Sequence, residues 1–165
     1  MSPSVRIQRA HESFSDWDRL LTLLRDAFAE TEPRIDPPSS VMRLTPAALV
    51  ARSHEEALFL AQDRDGLVGC IFAKHDGDAV YVSKLAVCAD RRRDGIGRGL
   101  MAAAEDHARR LGARWLTLET RIELTENHAT FGALGFVRVA ERAHAGYDRP
   151  TFIEMHKDLA PMGAR

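Results

Sequence analysis

The sequence has little cysteine, and its only two, Cys70 and Cys88, do not form a C-x-x-C pair. This excludes a disulfide framework and a cysteine-based zinc site, and it suits a reducing compartment. The seven histidines show neither H-E-x-x-H nor H-x-x-x-H spacing. The pattern therefore predicts no metal site.

The sequence also lacks long apolar runs and an excess of charge of one sign. No stretch approaches the roughly 18 apolar residues of a membrane span, and the first residues lack the apolar segment of a signal peptide. The 165 residues carry a net charge of −1, whereas nucleic-acid binders usually carry a basic stripe. We therefore expect a cytoplasmic protein with neither a nucleic-acid nor a membrane partner.

Turn residues and apolar periodicity predict the elements in the order β-α-α-β-β-β-α-β-α-β-β. Thr45 followed by Pro46 is typical of a helix start. The turns Asp65-Gly66 and Asp76-Gly77 divide residues 57–88 into three strands, which predicts an antiparallel meander.

A strand, a loop and a helix then form a crossover in the middle of the chain. Such a connection makes the strands on either side, predicted at residues 79–88 and 113–122, parallel neighbours. The pattern predicts an α/β protein with a single domain at residues 1–160 and a short tail at residues 161–165.

The crossover loop, "RRRDGIGRG", combines positive charge with alternating glycines at the start of a helix. The first amides of a helix have no internal partner and lie at the positive end of its dipole. Gly95 and Gly97 allow an anion to approach the backbone, and they allow a positive φ. Arg92, Arg93 and Arg98 can add charge-assisted hydrogen bonds. The loop is therefore either a phosphate or diphosphate site or a tight turn with a solvated arginine rim.

Two other phosphate-binding motifs fit this loop less well. A P-loop requires Lys-Ser or Lys-Thr after the glycines, and neither follows here. A dinucleotide fingerprint requires glycine or alanine where this chain has Leu100, although Glu119 lies near the spacing of a ribose-binding acid. A nucleotide-binding domain therefore stays open as an alternative.

Three segments together resemble one known family. Arg92-x-x-Gly95-x-Gly97 matches the R/Q-x-x-G-x-G/A signature of the GCN5-related N-acetyltransferases (GNAT), residues 80–112 resemble their acetyl-CoA-binding core, and "ENHATFGALGF" resembles their following asparagine-helix-Gly-Phe segment. The resemblance implies the acyl-CoA N-acyltransferase fold: a mixed, mostly antiparallel sheet of about seven strands with four helices, splayed at the cofactor site. It also implies acetyl-CoA as co-substrate, with no metal.

The resemblance places the CoA diphosphate on the loop amides and the pantetheine arm alongside exposed strand backbone. The cofactor-binding residues that it implies are Leu85, Ala86, Val87, Arg92, Arg93, Asp94, Gly95, Ile96, Gly97, Arg98, Asn127 and Phe131. Asn127 matches a position that contacts the pantetheine arm in the family, and its alternative role is a helix N-cap. Many family members have a tyrosine that protonates the leaving thiolate where this chain has Phe131, so only Tyr81 or Tyr147 could replace it.

Acetyl transfer to an amine also requires a base and an acceptor site. Glu119, near the end of a predicted strand, is the first candidate for the general base, and Glu123 is a weaker one. The alternative for Glu119 is an ion-paired carboxylate at the strand end. By family analogy two loops face the acceptor, and their residues Arg34, Tyr147 and Arg149 suggest a polar, carboxylate-bearing acceptor.

The sequence therefore predicts an N-acetyltransferase that transfers the acetyl group of acetyl-CoA to the primary amine of a small polar molecule by direct attack on the thioester. A first alternative is a protein acetyltransferase acting on an N-terminus or a lysine. A second is a non-catalytic CoA-binding module. Homodimers are frequent in this family, so a second copy of the chain is a further expected partner.

Overall fold

The computed structural model describes residues 4–160, and in this part of the chain seven strands and four α-helices follow the predicted order. The strands are β1 (Arg6–Arg9), β2 (Ala57–Asp63), β3 (Gly66–Asp76), β4 (Ala79–Val87), β5 (Trp115–Arg121), β6 (Val137–Arg142) and β7 (Phe152–Asp158). The helices are α1 (Trp17–Ala29), α2 (Pro46–Glu55), α3 (Ile96–Arg110) and α4 (Thr125–Ala133). Short 3₁₀ turns cover Glu32–Arg34, Ser40–Arg43 and Ala89–Arg91.

The strands form one mixed sheet in the order β1-β2-β3-β4-β5-β7-β6. All neighbours are antiparallel except β4 and β5, which are parallel, as the crossover rule predicts. The hairpin turns at Gly66 and Gly77 have φ values of 125° and 62°, which glycine adopts without strain. The predicted meander and the predicted fold class are confirmed.

Helices cover both faces of the sheet and bury its central strands. Helix α3 packs one apolar side, including Leu100 and Ala104, against one face. Leu20 and Leu24 of α1 and Leu49 of α2 are fully buried on the other face. Each such leucine contributes about 1.5–3 kcal/mol of transfer free energy. This packing fixes β4 and the loop that follows it between two helical layers.

Two helix starts test the predicted caps. The Thr45 side chain accepts a hydrogen bond from the Ala48 amide at 3.1 Å, so the predicted cap of α2 is confirmed. The N-cap of α4 is Leu124, and Asn127 lies inside that helix, so the N-cap role of Asn127 is wrong. The single domain at residues 1–160 stays a prediction, and the tail at 161–165 lies outside the described residues.

Candidate active site

The loop between β4 and α3 turns the chain sharply and leaves helix amides open. Arg93 has φ 73° and Gly95 has φ 80°, both in the left-handed region. Gly95 is the N-cap of α3 and has no side chain to satisfy the first helical amides, so they can bind an external anion. A positive φ is therefore confirmed for Gly95, whereas Gly97 lies in the regular helix.

The arginines of the loop have different roles. Arg91 is buried and forms ion pairs with Asp63 of the β2–β3 hairpin and with Asp94, whose Oδ2 accepts from Nε at 2.8 Å. Arg91 therefore ties the loop to the sheet and fixes the Asp94 carboxylate. Arg92 reaches across to α1 and pairs with Glu30, and both side chains are partly exposed.

Arg93 and Arg98 leave their charges available. Both are exposed and line the cavity in front of the open amides. Within residues 4–160 neither forms an ion pair with a carboxylate. Open amides and two uncompensated guanidinium groups make this end of the cavity suitable for a doubly charged phosphate ligand.

Strands β4 and β5 separate soon after they begin. They pair only from Ala79 to Tyr81 on the β4 side. Further along, β4 carries a bulge in which Lys84 and Leu85 both lie opposite Ile71 of β3, and Lys84 has φ 54°. A bulge bends its strand and increases the local twist, so it accounts for the gap that opens between the two strands.

Two adjoining cavities follow this gap. The loop cavity, of about 520 Å³, extends from the α3 amides to the end of β4. The strand cavity, of about 420 Å³, continues between β4 and β5. Both are lined by Phe28, Ser39, Leu85, Arg121, Leu124 and Asn127. A long ligand can therefore reach from one cavity into the other.

This arrangement fits the CoA that the family resemblance implies. A Cβ built on Gly95 meets no atom within 4 Å, so open space adjoins the backbone where a diphosphate would bind. The exposed edge of β4 beyond Tyr81 has unpaired backbone groups for an amide-bearing arm. Leu85, Ala86 and Val87 all line the loop cavity beside this edge.

Glu119 lies in the strand cavity and accepts a hydrogen bond from Tyr81, whose hydroxyl is 3.3 Å from Oε1. Loss of hydration in the cavity raises the pKa of Glu119, and Glu154 raises it further, while the Tyr81 bond opposes the shift. Burial and the adjacent Glu119 raise the pKa of Tyr81. Tyr81 therefore stays protonated at neutral pH and Glu119 is a stronger base than an ordinary glutamate.

Glu123 occupies a different position. Its Oε2 accepts from the Asp36 amide at 3.2 Å, and its Oε1 is buried without a hydrogen-bond partner in the described part of the chain. Glu123 lines neither the loop cavity nor the strand cavity. The geometry therefore favours Glu119 of the two predicted carboxylates.

The two predicted α4 residues lie at the junction of the cavities. Asn127 lines both of them. Phe131 lines the strand cavity and packs edge-to-face against Phe136, with ring centroids 6.1 Å apart. Phe131 therefore lines the strand cavity with an apolar ring and cannot donate a proton.

The three residues predicted to bind the acceptor, Arg34, Tyr147 and Arg149, instead form contacts within the protein. Asp36 accepts from the Tyr147 hydroxyl at 2.7 Å and from Arg149 at 2.8 Å. Arg34 pairs with Glu126 at 2.5 and 3.0 Å. None of the three predicted residues lines either cavity. They connect the loop after α1 to the β6–β7 loop and to α4.

Lys84 and Phe28 line the strand cavity. Lys84 flanks the segment predicted for the pantetheine arm, where the sequence favours a structural or substrate-lining role, whereas Phe28 is predicted only as part of the apolar face of the first helix. A signal for the Lys84 bulge is nevertheless present. Val80 and Val82 face the α3 side of the sheet, and Leu85, three positions after Val82, faces that same side together with Val87. Because side chains alternate along a strand, this change from even to odd positions marks one extra residue.

Comparisons with known proteins agree with this geometry. The model of the acetyltransferase (GNAT) family matches residues 17–136. N-alpha-acetyltransferase 30 of Schizosaccharomyces pombe is 31% identical over 88 residues, which are 50% of this chain and 59% of that protein. The chain thus matches about three fifths of that relative's length.

Solved structures share the fold. An aminoglycoside 6'-acetyltransferase of type Ii superimposes with a TM-score of 0.73 at 23% identity, covering 94% of this chain and 98% of that one. An acetyltransferase of Bacillus subtilis in complex with CoA superimposes with a TM-score of 0.67 at 18% identity, covering 94% and 99%.

Among the helices of residues 4–160, none is both long and apolar enough to cross a membrane. The same residues bring together no group of three or more His, Cys, Asp or Glu side chains that could hold a metal ion.

The signature loop, the gap between the parallel strands and the match over residues 17–136 agree: the chain belongs to the acetyltransferase (GNAT) family.

Proposed function

We propose that the protein transfers the acetyl group of acetyl-CoA to the primary amine of a small polar molecule. The observation that carries the proposal is the gap between β4 and β5, with open helix amides at one end and the Glu119–Tyr81 pair in the adjoining cavity. One ligand cavity thus leads directly into a second that contains a base.

In this proposal the diphosphate of acetyl-CoA binds the amides of residues 93–98, with Arg93 and Arg98 adding charge. The pantetheine arm runs along the free edge of β4 at residues 85–87. The thioester then lies near the junction where Leu85 and Asn127 line both cavities. Backbone amides at the same edge stabilise the oxyanion of the tetrahedral intermediate.

The acceptor amine must lose a proton before it attacks. An amine with a pKa of about 10.4 costs roughly 4.6 kcal/mol to neutralise at pH 7. Glu119 takes this proton directly or through one water. The raised pKa of Glu119 brings it closer to the working pH, which makes the proton transfer easier.

The thiolate of CoA leaves at the end of the reaction. Its thiol has a reference pKa of about 8.5, so departure does not require an acid. Phe131 cannot supply a proton, and Tyr147 lines neither cavity. Tyr81 lies in the strand cavity, but its raised pKa makes it a weaker acid than the thiol, so the thiolate leaves as the anion and takes its proton from water.

A small acceptor is supported by the size of the strand cavity. The cavity measures about 420 Å³ and is lined by Ser39 from the loop after α1 and by His144 from the β6–β7 loop. The bonds of Asp36 to Tyr147 and Arg149 join these two loops. A cavity of this size beside two joined loops suits a small molecule better than a long peptide.

A protein N-terminus is the second candidate acceptor. The similarity to N-alpha-acetyltransferase 30 over 88 residues favours it. A non-catalytic CoA-binding module is the third, because Phe131 replaces the tyrosine of many family members. A thiol-release assay with acetyl-CoA across small amines, amino acids and peptides separates all three.

The decisive variant is Glu119→Gln, with Glu123→Gln as its matched comparison. We expect Glu119→Gln to lower kcat/KM at pH 7 by about 10²–10⁴-fold and to lose less at high pH, where the amine is already neutral. An unaltered pH profile would assign the base to another residue. Binding of acetyl-CoA with no thiol release from any amine would favour the non-catalytic module.

A further inference from the structure

Two cationic side chains that take part in no ion pair within the described residues lie in the strand cavity. Lys84 of β4 and Arg121 of β5 both line it. In the part of the chain that the structure describes, neither forms an ion pair. Arg121 donates only to the carbonyl oxygens of Pro37 at 2.6 Å and Pro38 at 3.2 Å. Loss of hydration lowers the pKa of Arg121, whereas Glu123, Glu32 and Asp36, none of which forms an ion pair with it, raise it.

The arginines of the surrounding loops contrast with these two. Arg34 is paired with Glu126, and Arg149 is paired with Asp36. The pair with Arg34 lowers the pKa of Glu126 to about 2, so the pair stays ionised over the working range. Arg34 and Arg149 therefore already have carboxylate partners within the protein.

Lys84 is held in place by its backbone and is partly buried. Its φ of 54° and the bulge direct this one residue out of the regular strand pattern. Loss of hydration lowers the pKa of Lys84 and the nearby Arg52 lowers it further, while Glu56 raises it. A half-buried ammonium group that forms no direct ion pair gains stability when an anion binds beside it.

Glu119 lines the same cavity as these two cations. It stands two residues before Arg121 on β5, so both side chains project from the same face of the strand. Residues at this spacing are about 7 Å apart, which a small molecule can span. A base for an amine and a binding site for an anion are therefore within one molecular length.

We propose that the acceptor carries an anionic oxygen group as well as its primary amine, and that Lys84 and Arg121 bind this group while the amine faces Glu119. The inference rests on the proposed function and narrows its substrate class to amines bearing a carboxylate or a phosphate. It transfers anion recognition from the predicted Arg34 and Arg149 to the cavity.

The first test uses the wild-type protein. Straight-chain ω-aminocarboxylates are compared with the corresponding ω-aminoamides and n-alkylamines, and with aminoalkyl phosphates, in the thiol-release assay. We expect the anionic members to have a kcat/KM at least tenfold higher than the neutral ones, chiefly through KM. The kcat/KM values of the aminocarboxylates and the aminoalkyl phosphates show which of the two anions is preferred. Equal kcat/KM for anionic and neutral amines would overturn the inference.

The second test replaces Lys84 by residues that fit its backbone. Lys84→Asn removes the charge, and asparagine tolerates the left-handed conformation. Lys84→Arg retains the charge, and Lys74→Asn makes the same change at an exposed position of β3 outside both cavities. We expect Lys84→Asn to lower kcat/KM for the anionic amines more than for the neutral ones and so to remove most of the anionic preference, whereas Lys74→Asn should retain that preference. A preference that survives Lys84→Asn would contradict the role of Lys84.

Failure of the proposed function gives a different result. If no amine releases thiol, calorimetric titration of 5-aminopentanoate and pentylamine into the CoA-saturated protein still tests the anion site. Tighter binding of the aminocarboxylate, lost in Lys84→Asn, would support the inference without turnover. Equal or absent binding of both compounds would overturn it. If Lys84→Asn does not fold, Lys84→Arg and the wild-type comparison decide the question.

Discussion

Replacement of Gly95 by aspartate tests the diphosphate site most directly. Gly95 is the N-cap of α3, and a Cβ built on it meets no atom within 4 Å. An aspartate side chain therefore fits without a clash, and its carboxylate occupies the space in front of the open amides. Two unit charges about 5 Å apart repel by roughly 3 kcal/mol at an effective dielectric constant of 20. We therefore expect CoA to bind about 100-fold more weakly to Gly95→Asp.

Gly95→Asn is the matched control for this prediction. Asparagine has nearly the same shape, tolerates the φ of 80° as aspartate does, and carries no charge. The difference between the two variants therefore isolates the repulsion, and it should shrink as salt screens the charges.

Calorimetric titration of CoA and of pantetheine, which lacks the diphosphate, completes the assay. We expect the two Gly95 variants to differ for CoA and to agree for pantetheine. Equal CoA affinities for Gly95→Asp and Gly95→Asn, at low and at high salt, would refute the placement of the diphosphate at this loop.

Two further predictions concern the loop and the sheet. Glu30→Gln releases Arg92 from its exposed ion pair, which contributes about 0–1 kcal/mol, so CoA should bind up to about fivefold more tightly; weaker binding in calorimetry would argue against Arg92 as a ligand. Gly69→Ala places a Cβ 3.0 Å from Leu100 Cδ1 and 3.1 Å from the Ala86 carbonyl oxygen, and this overpacking should cost about 1–3 kcal/mol. Thermal unfolding should show Tm lowered by several degrees, and an unchanged Tm would show that the sheet can relax there.

Features that depend on neighbouring residues could be predicted from the sequence. The glycines at positions 66, 77 and 95 all have the positive φ that their turns require. The parallel pairing of β4 and β5 follows from the helix between them, because a crossover returns the chain in the same direction. Local conformation and connection rules therefore suffice for the meander and for the signature loop.

Features that depend on distant partners could not be predicted. Arg91, Arg92 and Arg93 are adjacent and identical in type, yet only Arg91 is buried, because Asp63 reaches it from the hairpin 28 residues earlier in the chain. Its neighbour Arg92 pairs with Glu30 of another helix. A run of three arginines carries no information about which one meets a carboxylate.

The loops near the acceptor site show the same limit. Arg34 and Arg149 were interpreted as acceptor ligands because arginines in polar loops suit carboxylates. Their carboxylate partners instead belong to the protein: Glu126 on α4 and Asp36 on the opposite loop. Asp36 and Arg149 are separated by 113 positions in the chain, so only the folded sheet brings them together.

The short contact between β4 and β5 has a consequence for folding. Within residues 4–160, the β4–β5 ladder that joins the four-stranded N-terminal part of the sheet to the three-stranded C-terminal part has three residue pairs. Every other ladder of the sheet is longer, so the boundary between the two parts is the natural place for partial opening. A ligand that contacts both sides of that boundary stabilises the folded state. By mass action, the free energy of unfolding should therefore rise with the ligand concentration.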